Sequence, residues 1–207
     1  LKYNSVAAQM SRGKSEKTVA FAMSSVAATL AKFSMDVCLY MSQNFDFISL
    51  PAHLTTGSSI MPHKKNPDVF ELIRGKCNKI QALPYEITLI TNNLPSGYHR
   101  DLQLLKEGLF PAIQNLKACL DIAIFSIKDI NVKDNILADK KYNYLFTVDT
   151  LNEMVAAGMP FRDAYKAVAE QLENGTYESP KETKHTHEGS INNLCLAEIK
   201  EKMKLAY

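Results

Sequence analysis

Between Ser15 and Phe45 the chain carries neither glycine nor proline, and Val19, Met23, Val26, Leu30, Phe33, Val37 and Tyr40 recur at helical spacing. The pattern predicts one long helix. Ala20, Ala27, Ala28, Ala31, Met35 and Cys38 make its other faces small or apolar, so burial on several sides is expected. A loop punctuated by Pro51, Gly57 and Pro62 follows, and Asn66-Pro67 then offers an N-cap residue and a proline suited to the first helical turn. A second helix should therefore begin near Asp68. Its apolar positions Val69, Ile73, Cys77, Ile80, Leu83, Ile87 and Ile90 continue past Pro84, where a missing ladder donor should kink or break it. After Leu94-Pro95-Ser96-Gly97 a third helix is expected from about Asp101 to Lys128. Its stripe is Leu102, Leu105, Leu109, Ile113, Leu116, Leu120, Ala123 and Ile127, with Pro111 as a possible bend.

Three helices of roughly 25 to 30 residues would each span about 40 Å, which is bundle architecture. Beyond Asp129-Ile130-Asn131 the texture shortens to pieces at Asp134 to Asp139, Phe146 to Ala157, Phe161 to Glu173 and Leu194 to Leu205. The expected fold class is all-α: a long-helix bundle over 1–129 and a small helical C-terminal domain over 130–207. No strand alternation of useful length, internal repeat or low-complexity segment is visible.

Composition narrows the partners. Lys plus Arg number 24 against 22 Asp plus Glu, a formal net charge of +2 on 207 residues, so nothing draws the whole chain to nucleic acid or an acidic membrane. Any anion must be held locally. No stretch approaches the roughly 18 uninterrupted apolar residues of a membrane span. Cys38, Cys77, Cys119 and Cys195 lie far apart with no C-x-x-C pair, which argues against zinc and suits buried thiols in a reducing, cytoplasmic setting. His185 and His187 fall in a polar stretch without obvious further ligands, and Asn174-Gly175 reads as a turn rather than a glycosylation site. Leu1-Lys2-Tyr3 begins neither a signal peptide nor a natural start, so a fragment or a processed chain is expected.

The chemistry concentrates in residues 55–68, "TTGSSIMPHKKNPD". Gly57 grants the backbone freedom a closing loop needs, and Ser58 and Ser59 offer hydroxyls beside it. A serine becomes a base only when nearby positive charge favours its alkoxide, and Lys64, Lys65 and the free amides of the helix start supply such a field. The same groups suit a substrate carboxylate. Asn66 can cap the helix and donate its amide to an oxygen. A phosphate loop fits poorly: no glycine directly precedes the lysine, no strand leads in, and Pro62 removes an amide donor. The competing bland reading is a solvated loop with scattered lysines.

The stretch "GSSIMPHKKNPD" resembles the signature loop of the aspartase/fumarase superfamily, whose members cleave C–N or C–O bonds to release fumarate. Together with "GSSIMPHKKNPDVFELIRGK" and "LPSGYHRDLQLLKE" the chain is most similar to the argininosuccinate lyase family, over nearly all of residues 3 to 128 and more loosely in "MPFRDAYKAV". The resemblance implies a reversible anti β-elimination of argininosuccinate to arginine and fumarate, in arginine biosynthesis, without cofactor or metal. It assigns Ser58 as the base and Lys64 and Asn66 as stabilisers of the doubly charged carboxylate. Glu71 matches a carboxylate that orients the family's histidine, and Tyr98, Gln103 and Lys106 match substrate-contacting positions. Structural alternatives stand beside each: Tyr98 and Gln103 can pack or cap at a helix start, Glu71 can complement the helix dipole, and Lys106 can be solvated. His63 and His99 depart from the family's pattern.

The family's sites are assembled from segments on three subunits of a homotetramer. Its acid-bearing histidine segment precedes residue 1, so this chain matches the C-terminal portion, and alone it is expected to be associated and catalytically silent. Another fumarate-releasing lyase of the superfamily, or a silent crystallin-like structural relative, would share the loop.

Overall fold

In the computed structural model, which describes residues 3–180, 183 and 185–206, a short helix α1 (Ser5–Met10) is capped by Asn4, whose side chain accepts the Ala7 N–H at 2.9 Å. The long helix α2 (Lys14–Tyr40) starts at Gly13, where φ is +84° and the Glu16 carboxylate reaches back to accept the Gly13 N–H at 2.8 Å. A side chain at Gly13 would meet Thr91 Cγ2 at 2.7 Å, so the turn requires glycine for conformation and for space.

Two expectations for α2 need correction. It ends at Tyr40 rather than Phe45, because the rings of Tyr40, Phe45 and Phe47 cluster at centroid distances of 5.4 to 6.4 Å and fold the chain back on itself. Asp46, at φ +52°, makes the reversal, and Phe47 N–H donates to Tyr40 O at 2.9 Å. Its buried face is Ala20, Met23, Ala27, Leu30, Ala31, Ser34 and Val37, while Val19, Val26 and Tyr40 stay exposed. Small side chains, not the larger apolar ones, let the neighbouring helices approach.

The main neighbour is α3 (Asp68–Gln81), followed after a break at Ala82 by α4 (Leu83–Ile90), with Pro84 tolerated in the new helix's first turn. Phe70, wholly buried, anchors the start of α3 edge-on against Phe33 at 6.0 Å. A 3-10 turn (Arg100–Gln103) precedes α5 (Leu105–Ile127), which contains Pro111. On α5 Leu105, Leu109, Leu116 and Ala123 enter the core, but Ile127 of the expected stripe is exposed. Two strands of two residues each, β1 (Ile48–Ser49) and β2 (Asn131–Val132), pair antiparallel. They are too short to show alternation in a sequence. The segment just after α5 is thereby tied to the one that follows α2.

Phe21, Val26 and Met35 on α2 and Phe110, Ile124 and Phe125 on α5 remain exposed. By length and apolar content, α2 and the segment Arg100–Ile127 would each also reach across a membrane.

Contacts divide the chain into two units between Asp134 and Asn135. In the second, α6 (Thr147–Ala156) and α7 (Phe161–Glu173) pack through Leu151, Ala164 and Val168, with Thr150 hydrogen-bonded to Tyr177 at 3.0 Å. Asn174-Gly175 is the turn that ends α7, with Gly175 at φ +68°. His185 pairs with Asp149, and the last helix α8 (Leu196–Leu205) buries none of its residues.

Candidate functional site

The loop of 55–68 is closed at its base by a single antiparallel bridge. Thr56 N–H donates to Asn66 O at 3.1 Å, and Asn66 N–H donates to Thr56 O at 2.8 Å. Thr56 Oγ1 also donates to the Asp68 carboxylate. Asn66 therefore does not cap α3 as expected. Its Nδ2 donates to Gly57 O at 3.3 Å, and Pro67, at φ −82° and ψ 50°, occupies the cap position without a side-chain bond. The register of the bridge holds the Asn66 amide against the loop rather than over the helix end.

Inside the loop Ser58 Oγ accepts two backbone N–H groups, from Ile60 at 3.2 Å and from Met61 at 3.1 Å. Two donors aimed at one hydroxyl oxygen favour its alkoxide and leave its own proton free to be given up. Lys64 and Lys65 are exposed and enter no ion pair among the described residues.

A cleft of about 770 Å³ lies beside the loop. Its walls are the end of α2 with the turn beyond it (Cys38, Met41, Asp46), the β1 segment, and Lys64, Lys65, Asn66 and Glu71. It thus joins two ammonium groups and an amide on one wall to a carboxylate in the first turn of α3. Ser58 does not line it. Burial pushes the half-buried Cys38 thiol up, against the opposing field of Arg74, so this thiol stays protonated.

The other three expected residues form a second group. Gln103 Nε2 donates to Tyr98 OH, Lys106 Nζ donates to Gln103 Oε1 at 2.8 Å, and the Arg12 guanidinium stands over the Tyr98 ring at 5.1 Å. None of these lines the cleft. Arg12 directly precedes the Gly13 start of α2, whereas the cleft is built on the residues that end α2, so α2's 27 residues put about 40 Å between the two groups.

Three participants were missed in the sequence: Arg12, Thr56 and Asp68. Arg12 lies 86 positions before its ring partner and left no local signal. Thr56 and Asp68 stand at the ends of the motif and could have been read as a hairpin base. Among the described residues no three His, Cys, Asp or Glu side chains converge as a metal ion would need.

Comparison with known proteins adds a frame. A family described as "Lyase" matches residues 4–82. The chain is 57% identical over 204 residues to argininosuccinate lyase of Parabacteroides distasonis, covering 99% of this chain and 46% of that protein. It is 55% identical over 199 residues to argininosuccinate lyase of Bacteroides thetaiotaomicron, covering 96% and 45%. The chain thus spans about half the length of the curated relatives it matches. Among solved structures, the class II fumarase of Schistosoma mansoni superposes with a TM-score of 0.69 at 21% identity, over 83% of this chain and 36% of the fumarase. At that identity the likeness speaks for the all-α fold alone.

Proposed function

Because the chain belongs to the argininosuccinate lyase family, we propose that it carries two separate parts of an active site for the reversible elimination of arginine from argininosuccinate, leaving fumarate. The observation that carries this reading is the separation of the two residue groups by the length of α2. Neither group completes a site within one chain. Several copies packed side by side with α2 antiparallel bring the loop of one against the Tyr98 group of another. The exposed apolar side chains of α2 and α5 then meet other copies in a homotetramer, because faces of that size are rarely left to solvent. Lys32 and Asp36 on α2 would be costly in lipid, which favours protein neighbours there.

In the elimination Ser58 Oγ, as the alkoxide left once its own proton has passed to solvent, takes the proton from the carbon next to a carboxylate, and the electron pair of that C–H bond moves into the carboxylate. Lys64 and Asn66 supply the positive field and the donor that hold the resulting dianion. The C–N bond then breaks, its electrons leave with the arginine nitrogen, and an acid from outside this chain protonates that nitrogen. Tyr98, Gln103 and Lys106 grip the substrate, and Glu71 orients the family's histidine. The two amides on Ser58 favour its alkoxide before substrate arrives. The lyase works in the cytoplasm, in arginine biosynthesis.

The test is fumarate release by the full-length protein from argininosuccinate, with adenylosuccinate, aspartate and malate as competitors. Preference for any competitor overturns the substrate; no release from any of them leaves a crystallin-like structural protein. The chain by itself is expected to be silent in the same assay and to scatter light as an oligomer. A monomer with turnover would defeat the shared-site argument.

A further inference from the structure

The base of the loop is fastened to the most firmly packed element nearby. Thr56 shares both backbone hydrogen bonds of the bridge with Asn66, and its hydroxyl donates to the carboxylate of Asp68, the first residue of α3. Two residues on, Phe70 is wholly buried against Phe33, so Asp68 stands on a fixed point of the core. From there the constraint runs outward from Asp68 to Thr56 and across the bridge to Asn66. The Asn66 side chain carries it to Gly57, beside Ser58. Lys64 N–H donates to Met61 O at 3.0 Å, and Lys64 lines the cleft.

We propose that Thr56 and Asp68 are positioning residues of the elimination: their hydrogen bond sets the height and tilt at which the loop presents Lys64 and Asn66 to the substrate carboxylate. The proposal rests on the reading above that those two side chains grip that carboxylate. A hydrogen bond to an ionised acceptor is stronger than a neutral one, and a site held to within a fraction of an ångström needs such support from residues that never touch the substrate. Asp68 in the first turn of α3 also complements the helix dipole. The two roles separate by substitution, because Asp68→Asn keeps an acceptor for Thr56 and removes the charge, whereas Asp68→Ala removes both.

The experiment compares Thr56→Val, Thr56→Ser, Asp68→Asn and Asp68→Ala in the full-length protein by two readouts. One is the rate of tryptic cleavage after Lys64 and Lys65 under native conditions. The other is the split between kcat and KM for fumarate release from argininosuccinate. Thr56→Val and Asp68→Ala are expected to be cleaved about tenfold faster and to lose about tenfold in kcat with KM within about twofold. Thr56→Ser should stay near the parent in both readouts, Asp68→Asn should fall between the parent and Asp68→Ala, and the Thr56→Val/Asp68→Ala pair should be no worse than either single change. Parental cleavage in Thr56→Val overturns the fastening. Faster cleavage with parental kcat overturns the positioning role, as does a lower kcat that Thr56→Ser fails to restore. A parent that releases no fumarate sinks the lyase reading and the catalytic half of this proposal, while the cleavage rates still decide whether the pair fixes the loop.

Discussion

At the N-terminal end of α2, Arg12, Tyr98, Gln103 and Lys106 already touch one another in an unbroken series. At the other end Lys64 and Lys65 reach an open cleft with no ion-pair partner among the described residues, on a loop fastened at its base and turned around Ser58. The first group is assembled before any ligand arrives; the second keeps its charges unspent. Groups that bind ground state and transition state alike gain from being built in advance, whereas groups that meet a developing dianion gain from a loop that can close on it. On the proposed reading of the two groups, the contrast divides recognition from chemistry along one helix.

The largest expected effect is at Ser58. Ser58→Ala in the full-length protein should cost roughly 10²- to 10⁴-fold in turnover, the usual contribution of a positioned base, and leave binding of fumarate within a few-fold. Turnover close to the parent's would move the base elsewhere. Next is Lys64→Met, expected to lower kcat/KM by about ten- to a hundredfold, as loss of a charge-assisted contact does. Lys65→Met should do less, although both line the cleft. Steady-state kinetics giving equal losses would show that neither lysine is the direct ligand.

At the recognition end Gln103→Ala removes the link between Tyr98 and Lys106, and the expected outcome is a KM raised roughly two- to tenfold at constant kcat. A fall confined to kcat would erase the division drawn above. The smallest effect concerns the packed seam between α3 and α5. There burial, reinforced by the neighbouring Cys119, pushes the Cys77 thiol from 9.0 up to about 12. The fold favours the protonated thiol, so its contribution to stability is complete below pH 9.0 and is lost as pH climbs toward 12. Urea midpoints should fall across that window in the parent and fall less in Cys77→Ala. Identical slopes would place the pH dependence on other groups.

The pattern of apolar spacing located α2, α3 and α5 well because each is long, and Pro84 marked the break before α4. Spacing could not choose among the faces of α2. A helix covered by close neighbours buries Ala20, Ala27 and Ala31, and hydrophobicity alone ranks Val19 and Val26 above them. The end of α2 was hidden for a related reason: Tyr40, Phe45 and Phe47 continue the apolar run, and only their mutual packing turns it into a reversal. At the site, the loop chemistry was legible because Gly57 to Asp68 is contiguous. The tie from Asn66 to Gly57, the stacking of Arg12 on Tyr98 and the isolation of the two groups all depend on how distant segments meet. The role assigned to Asn66 as a cap failed because Pro67 takes the cap position and the bridge to Thr56 fixes Asn66 one residue outside it, where its side chain reaches Gly57 O instead of the helix amides.

The length of α2 has a consequence for how the chain can change over generations. Each residue of a helix advances the chain by about 1.5 Å and turns it by about 100°, so one codon lost anywhere between Lys14 and Tyr40 would swing everything beyond it by more than a quarter turn. The buried alanines would turn away from their packed neighbours, exposed residues such as Phe21 would be offered in their place, and the two ends would point to different neighbours at once. Inheritance along α2 is therefore a matter of letters but not of length. The stretch around Asp134 and Asn135, where the contacts of the two units part, can gain or lose codons without disturbing either end of the helix.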